Sequence, residues 1–231
     1  MASLLVFGSI NLDVAIPVPR LPALGETLIG GAAMLAPGGK GANQAHAARR
    51  FGADVALVGA VGDDALGPAA LRQLAAAGVR LDGVRVLRDA LTGVATIAVT
   101  AAGDNAIVVA SGANDRVRAD WVDDARLQAA RLVLLQMEVP VDETLALARR
   151  ARQLGRTVVL NLAPARALDA LAFADVDWLV VNETELAALC AAQRVPAAPP
   201  REQAALVASR AGVRVVVTLG AAGACLAEPG G

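Results

Sequence analysis

The 231-residue chain is 56% hydrophobic and 19% charged, a composition that excludes a disordered or collagen-like protein. Its 21 basic and 22 acidic residues leave a net charge of −1, whereas nucleic-acid binding needs a basic excess. Because no apolar run approaches the roughly 20 residues that span a bilayer, and no basic segment of a signal peptide precedes the first apolar run, we expect one soluble, cytoplasmic domain without nucleic-acid or membrane partners.

Short apolar runs alternate with segments of helical period along the chain. The predicted strands are residues 4–8, 55–61, 132–136, 157–161, 178–181 and 213–219, and the predicted helices are residues 41–51, 67–77, 119–130, 141–154, 183–191 and 201–211. The strand runs are continuously apolar, as strands buried on both faces of a parallel sheet must be. The order therefore predicts a doubly wound α/β fold with a mostly parallel sheet and helices on both faces.

Two segments interrupt this alternation, at about residues 13–36 and 93–111. The second reads as a hairpin, because two β-rich runs flank the turn sequence Gly103-Asp104-Asn105. Together the segments predict a small second β-sheet attached to a single domain over residues 1–231. A sheet with one uncovered face is either a lid or a subunit interface.

The end of the first strand carries an amide and a carboxylate, Asn11 and Asp13. Ligands of open α/β sheets bind at the carboxyl ends of strands, and residues two apart in an extended chain share a face. This pair suits a hydroxyl-rich ligand, because a carboxylate only accepts hydrogen bonds while an amide both donates and accepts them. The alternative is a turn in which both residues are turn formers.

Lys40, the only lysine in the chain, stands among three glycines in segment 37–45. Glycines before a helix allow backbone N–H groups to approach a ligand at its positive end. The segment is not a Walker P-loop, because Met34 and Gly41 occupy positions where that motif needs glycine and Ser or Thr. The alternative is a helix N-terminus entered by a flexible loop.

Three more polar clusters follow predicted strands. Glu138 follows the strand at 132–136, Asn182 and Glu185 follow the strand at 178–181, and the segment 218–223 is a glycine-containing turn. Asn182 and Glu185 have the spacing of a helix N-cap, and they could equally orient a hydrated Mg²⁺. Because all the clusters stand at strand ends, we expect them to outline one ligand crevice.

These segments together resemble the ribokinase or PfkB family of sugar kinases. The resemblance runs from residue 4 to the last residues and rests on segments 8–13, 25–27, 38–45, 92–95, 112–114, 182–185 and 218–220. The order of glycines around the lysine is the most specific part. The resemblance implies a Rossmann-like α/β domain with a small β-sheet lid, and a homodimer formed by pairing of the lids.

The resemblance also implies ATP-dependent phosphorylation of a sugar, with ribose giving ribose 5-phosphate as the first expectation. It assigns sugar binding to Asn11, Asp13, Gly39, Lys40, Gly41, Ala42, Asn43 and Glu138. It assigns nucleotide binding to Asn182, Thr218, Leu219, Gly220, Ala221, Ala222 and Gly223, and it implies that Glu185 helps to place Mg²⁺ beside the phosphates. Family members are commonly activated by potassium (K⁺).

One departure from the family pattern concerns catalysis. The family's second signature, similar to Asp-Thr-x-Gly-Ala-Gly-Asp, is absent from these 231 residues. That signature carries the catalytic aspartate and the glycine amides of the anion hole, so no catalytic residue is assigned here and we expect the base, and the potassium loops, to lie beyond residue 231. The sequence then predicts a truncated, inactive form of a sugar kinase. The alternatives are a related kinase for fructose, a deoxy-sugar acid or a nucleoside, and a non-catalytic sugar-binding protein.

Overall fold

The computed structural model describes residues 3–168 and 170–230. The strands in these ranges are β1 (Leu4–Phe7), β2 (Asn11–Pro17), β3 (Met34–Gly38), β4 (Val55–Gly62), β5 (Arg80–Leu87), β6 (Gly93–Val99), β7 (Asn105–Ala110), β8 (Leu132–Leu135), β9 (Thr157–Asn161), β10 (Trp178–Asn182), β11 (Arg214–Thr218) and β12 (Ala224–Ala227). The α-helices are α1 (Lys40–Arg50), α2 (Leu66–Ala77), α3 (Asp124–Ala129), α4 (Val141–Gln153), α5 (Glu183–Ala192) and α6 (Pro200–Ala211). No helix in the described ranges is long and apolar enough to cross a membrane.

Eight strands form the main sheet, in the order β12-β11-β10-β9-β8-β1-β4-β5. All neighbours in it are parallel except β11 and β12. Alternate residues of β1 enter two different cores: Leu4 and Val6 pack with α1 and α2, whereas Leu5 and Phe7 join the core that contains residues of α4, α5 and α6. Helices therefore cover both faces of the sheet, and the predicted doubly wound fold is confirmed.

The second sheet, which we call the lid, has the strand order β3-β2-β6-β7. Its strand β2 follows β1 after a three-residue link, so the lid rises directly from the carboxyl edge of the main sheet. The predicted hairpin is confirmed, because β6 and β7 pair antiparallel around Gly103. All six residues of β7 are exposed.

The structure corrects several predicted elements. The helix predicted over 119–130 is broken into a 3₁₀ turn at Ala119–Trp121 and α3, because Asp123 accepts a hydrogen bond from the Arg126 N–H and starts a new helix. The lid strand β3 extends to Gly38, two residues beyond the predicted lid segment at 13–36. The strands β5 and β12 were not predicted. Both are edge strands, and β5 alternates exposed and half-buried residues instead of showing a continuous apolar run.

Candidate active site

A cleft of about 690 Å³ lies between the lid and the carboxyl edge of the main sheet. It forms there because β1 pairs with both β4 and β8, so that the segments following β1 and β8 emerge side by side. This is the switch point of a doubly wound sheet, where ligands bind. The polar lining residues are Asn11, Asp13, Lys40, Asn43, Ser111, Asn114, Asp115, Glu138 and Arg166.

Asn11 and Asp13 lie on the same face of β2 and both line the cleft, as their spacing predicted. Asn11 is 3% exposed. The Asp13 Oδ1 atom is buried without a hydrogen-bond partner among the described residues. Burial raises the pKa of Asp13, the nearby Glu138 carboxylate raises it further, and Lys40 opposes both. Asp13 thus brings to the cleft an acceptor that is unpaired among the described residues.

The glycine–lysine segment forms the floor of the cleft. Gly39 has φ 88°, and a Cβ atom there would lie 2.8 Å from the Asn11 nitrogen, so the position needs glycine. The Nζ atom of Lys40 lies 3.7 Å from the Glu138 Oε1 atom. Asn43 also lines the cleft, whereas Gly41 and Ala42 are buried within α1 and do not line it.

The N-terminus of α1 is occupied by the protein's own groups. The Glu138 Oε2 atom accepts hydrogen bonds from the Lys40 N–H (2.9 Å) and the Ser9 hydroxyl (2.6 Å). The N–H groups of Gly41 and Ala42 donate to the Ser9 hydroxyl and carbonyl. The expectation that this helix end offers its N–H groups to a ligand is therefore wrong for these three groups. Glu138 stabilises the positive helix end and holds the loop beside the cleft.

A second cleft, of about 350 Å³, opens further along the same sheet edge. It is lined by Asn182, Glu185 and Thr218 from the ends of β10 and β11 and the start of α5, and Lys40 lines it as well. Lys40 is thus shared by both clefts. Of the predicted nucleotide residues, Leu219, Gly220, Ala221, Ala222 and Gly223 form the exposed or half-buried turn between β11 and β12 and do not line this cleft.

Asn182 and Glu185 form a complete capping box at the start of α5. The Asn182 Oδ1 atom accepts from the Glu185 N–H (2.7 Å), and the Glu185 Oε2 atom accepts from the Asn182 N–H (2.9 Å). The helix-cap interpretation is confirmed. The second Glu185 carboxylate oxygen makes no hydrogen bond to a described residue, so the cap leaves it available.

A chain of side-chain amides, of which Gln44 and Asn161 line the second cleft, was not predicted. Gln136 donates to Gln44 Oε1 (2.7 Å), Gln44 donates to Asn161 Oδ1 (2.9 Å), and Asn161 donates to the Val180 carbonyl (3.1 Å). Gln44 lies one helical turn after Lys40 on α1. These bonds therefore fix the rotation of the helix that presents Lys40 to both clefts.

The part of the lid wall that β6 and β7 form is apolar, and the sequence did not predict this. It consists of Ala95, Ile97, Ile107 and Val109. Their register explains why they face one way: Ala95 pairs with Asp13 and Val109, and Ile97 pairs with Ile107. The signal was the apolar character of both hairpin strands, which places apolar side chains on either face. The lid face of the cleft is thus polar at Asn11 and Asp13 on β2 and apolar along β6 and β7.

Comparison with known proteins gives a consistent result. The model of the pfkB family carbohydrate kinases matches residues 1–231. The ribokinase of Haemophilus influenzae is 35% identical over 230 residues, which are 99% of this chain and 75% of that protein. The ribokinase of Bacillus subtilis is 38% identical over 191 residues, 82% of this chain and 65% of that protein.

Solved structures show the same likeness. The Arabidopsis thaliana ribokinase complexed with ribose and ATP superposes with a TM-score of 0.85 at 30% identity, covering 100% of this chain and 76% of that one. A Burkholderia thailandensis nucleoside kinase in complex with inosine has a TM-score of 0.78 at 19% identity and shares the fold alone. The chain thus spans between 65% and 76% of the length of the ribokinases named here.

Proposed function

The chain belongs to the pfkB family of carbohydrate kinases. From this premise we propose that the protein that carries these residues transfers the γ-phosphoryl group of ATP to D-ribose, giving ribose 5-phosphate and ADP, and none of these residues is assigned as its catalytic base. The observation that carries the proposal is the pair of adjoining clefts that share Lys40. A phosphoryl group must pass between two bound substrates, and its transfer depends on positioning and on stabilising charge. Two polar clefts joined by one cation meet that requirement.

The larger cleft is proposed to bind the sugar. Both donors and acceptors for hydroxyl groups come from Asn11, Asp13, Lys40, Asn43 and Glu138 in its lining. The apolar lid wall would lie against the C–H face of the sugar ring. No aromatic side chain is among the described residues that line it, so a nucleoside base would find no stacking partner among them.

The smaller cleft is proposed to receive the ATP phosphates, with Asn182 and Thr218 beside them. The described residues contain no group of three or more His, Cys, Asp or Glu side chains that would hold a metal alone. This fits a Mg²⁺ ion bound mainly by phosphates and water, with the free Glu185 carboxylate oxygen as a further contact. When bound, Mg²⁺ neutralises phosphate charge. Potassium activation stays a prediction from the family resemblance.

We also propose a homodimer that forms through the lid. Met34 pairs with Ala15, and Ala15 pairs with Ile97, so these residues extend the apolar wall of the cleft along the same face of the lid. Met34 is 58% exposed and Ile107 55% exposed. A second copy of this chain offers the same apolar face, as a two-fold interface requires.

The proposal is tested by calorimetry and by a coupled assay of ADP release, using the protein that carries these 231 residues. We expect ribose to bind more tightly than fructose, a 2-keto-3-deoxy sugar acid or adenosine. We expect ADP release to depend on ribose. If one of the other compounds binds more tightly than ribose, that compound is the better candidate for the substrate. If ribose binds without any ADP release, the result favours a non-catalytic sugar-binding protein.

A further inference from the structure

We propose that Asn114, a buried residue at the base of the lid, fixes the direction in which Asn11 presents its amide to the sugar cleft and so acts as a positioning residue for hydroxyl selectivity. The proposal rests on the sugar-binding function proposed above. Asn114 lies in the 3₁₀ turn Gly112–Arg116 that follows β7, and it is 1% exposed.

The orientation of the Asn114 amide is set by the backbone of residue 10. The Ile10 N–H can only donate, so the atom that it contacts at 2.9 Å must be the Asn114 Oδ1 oxygen. The Nδ2 group of Asn114 then points the other way, where it donates to the Ile10 carbonyl (3.2 Å) and to Asn11 (2.7 Å). If the Asn114 amide were rotated by 180°, its Nδ2 group would face the Ile10 N–H, which is also a donor. Its Oδ1 atom would face the Ile10 carbonyl oxygen, which is also an acceptor.

The orientation of Asn11 follows from that of Asn114. Because the Asn114 Nδ2 group donates a hydrogen bond to Asn11, the Asn11 atom that accepts it must be the Oδ1 oxygen. Its Nδ2 group is then left over, and it makes no hydrogen bond to a described residue, while Asn11 itself lines the cleft. Asn11 therefore faces the ligand as a donor.

This donor stands beside an acceptor. Asp13, on the same face of β2, has an oxygen without a partner among the described residues. A donor and an acceptor side by side can bind two neighbouring hydroxyls, one through its oxygen and the other through its hydrogen. If Asn11 turned over, two acceptors would stand together and a hydroxyl oxygen would find no donor from this strand.

The lid strand beside Asn11 leaves space for the paired amides. Gly93 is the register partner of Asn11. A Cβ atom at Gly93 would lie 2.2 Å from the Asn11 Oδ1 atom and 2.4 Å from the Asn114 Nδ2 atom. Any side chain at this position would push the two amides apart, so the glycine preserves the contact that orients Asn11.

The test replaces the Asn114 donor with an acceptor of the same shape, in Asn114→Asp. One carboxylate oxygen still accepts from the Ile10 N–H, and the other faces Asn11, which must turn its Nδ2 group inward. We expect ribose affinity to fall roughly 10- to 100-fold, because a buried donor is exchanged for an acceptor. The matched control is Asn105→Asp on exposed β7, which should bind ribose as the wild type does.

Selectivity among ribose and its deoxy analogues shows whether Asn114 orients Asn11 or only contributes to stability. The wild type should discriminate between ribose and at least one of 2-deoxyribose and 3-deoxyribose, and this ratio should approach one in Asn114→Asp. If that variant does not fold, Asn11→Asp keeps an acceptor for Asn114 and also places an acceptor in the cleft, so it should lose the same selectivity. Unchanged ribose affinity and selectivity in the folded variant would overturn the inference.

A measurement without ligand keeps the two proposals distinguishable. Neutron diffraction from deuterium-exchanged crystals of the wild type should place the Asn11 Nδ2 deuterons toward the cleft. Deuterons facing Asn114 would overturn the inference even if ribose binds. A wild type that binds no ribose would overturn the proposed substrate, whichever way the Asn11 amide points.

Discussion

The carboxyl group of Asp13 lies in an environment that disfavours its ionised form. Burial and the nearby Glu138 carboxylate raise the pKa of Asp13 above its ordinary value. A raised folded pKa means that the free energy of unfolding decreases as the pH rises from the carboxyl's ordinary pKa to its folded pKa. The burial of Asp13 therefore lowers the free energy of unfolding at pH values above the ordinary pKa of its carboxyl group.

Asp13→Asn should separate stability from binding. We expect a higher free energy of unfolding than the wild type at neutral pH, and equal values at a pH low enough to protonate Asp13 in both states. Ribose affinity should fall roughly 10- to 100-fold, because a charged acceptor is lost. Urea denaturation and calorimetry measure the two effects, and Asp104→Asn in the exposed lid turn is the control. A variant that is less stable than the wild type at neutral pH would contradict the expectation.

Lys40 tests whether the chain needs a compact charge at this point. Its ammonium lies between the two clefts and near Glu138. The wider guanidinium of Lys40→Arg would displace Glu138 or fill part of the sugar cleft, so we expect ribose affinity to fall about tenfold. Arg50→Lys, at the exposed far end of the same helix, is the matched exchange. Equal ribose affinity in Lys40→Arg and the wild type would show that Lys40 does not lie against the sugar.

Among the elements, the junction between β4, α2 and β6 is organised by a single carboxylate. Asp64 accepts hydrogen bonds from the N–H groups of Leu66 (3.0 Å) and Gly67 (2.9 Å) at the start of α2. It also accepts from the N–H and the hydroxyl of Thr92, both at 2.7 Å, directly before lid strand β6. Asp64 thus joins the first turn of α2 to the entry of the lid.

Asp64→Asn should weaken this junction in a pH-dependent way. Burial acts to raise the pKa of Asp64, but the hydrogen bonds, led by that of the Thr92 N–H, outweigh it and lower the pKa. Its stabilisation is therefore present above the ordinary carboxyl pKa and is lost as the pH falls through the folded value. We expect a loss of about 1–3 kcal/mol at neutral pH.

Urea denaturation across acidic pH measures this effect. The difference between the wild type and Asp64→Asn should shrink as the pH falls. Asp63→Asn is the control, because the neighbouring Asp63 is exposed and its carboxylate lies 4.0 Å from Arg88. A difference that stays constant with pH would show that the Asp64 charge does not stabilise the junction.

The same elements show what a sequence can predict about this site. Asn11, Asp13 and Glu138 were predicted because each follows an apolar run, and parallel strands bring their carboxyl ends to one edge. Lys40 was predicted from the glycines around it and from the helix that follows. Asn114 could not be predicted as the partner of residue 10, because 104 residues separate them. Such a contact depends on how the lid returns to the main sheet, which no local pattern records.

At the scale of the whole molecule, the two clefts are coupled by shared structure. Helix α1 presents Lys40 to both, and the amide chain through Gln44 attaches this helix to Gln136, directly after β8, and to Asn161 in β9. The proposed sugar cleft also depends on the lid, whose residues form one of its walls. A change in lid position therefore alters the sugar cleft directly, and a partner that holds the lid would influence it as well.

The proposed dimer can be tested with two neighbouring residues that lie on opposite faces of the lid. Met34 continues the apolar wall of the cleft, whereas Leu35 is the register partner of Val14 on the other face and is 65% exposed. We expect Met34→Asp to dissociate the dimer, because two carboxylates would be buried at a two-fold interface without partners. Leu35→Asp should remain dimeric. Sedimentation velocity measures both, and a wild type that sediments as a monomer, or equal dissociation by the two variants, would contradict an interface on the cleft side of the lid.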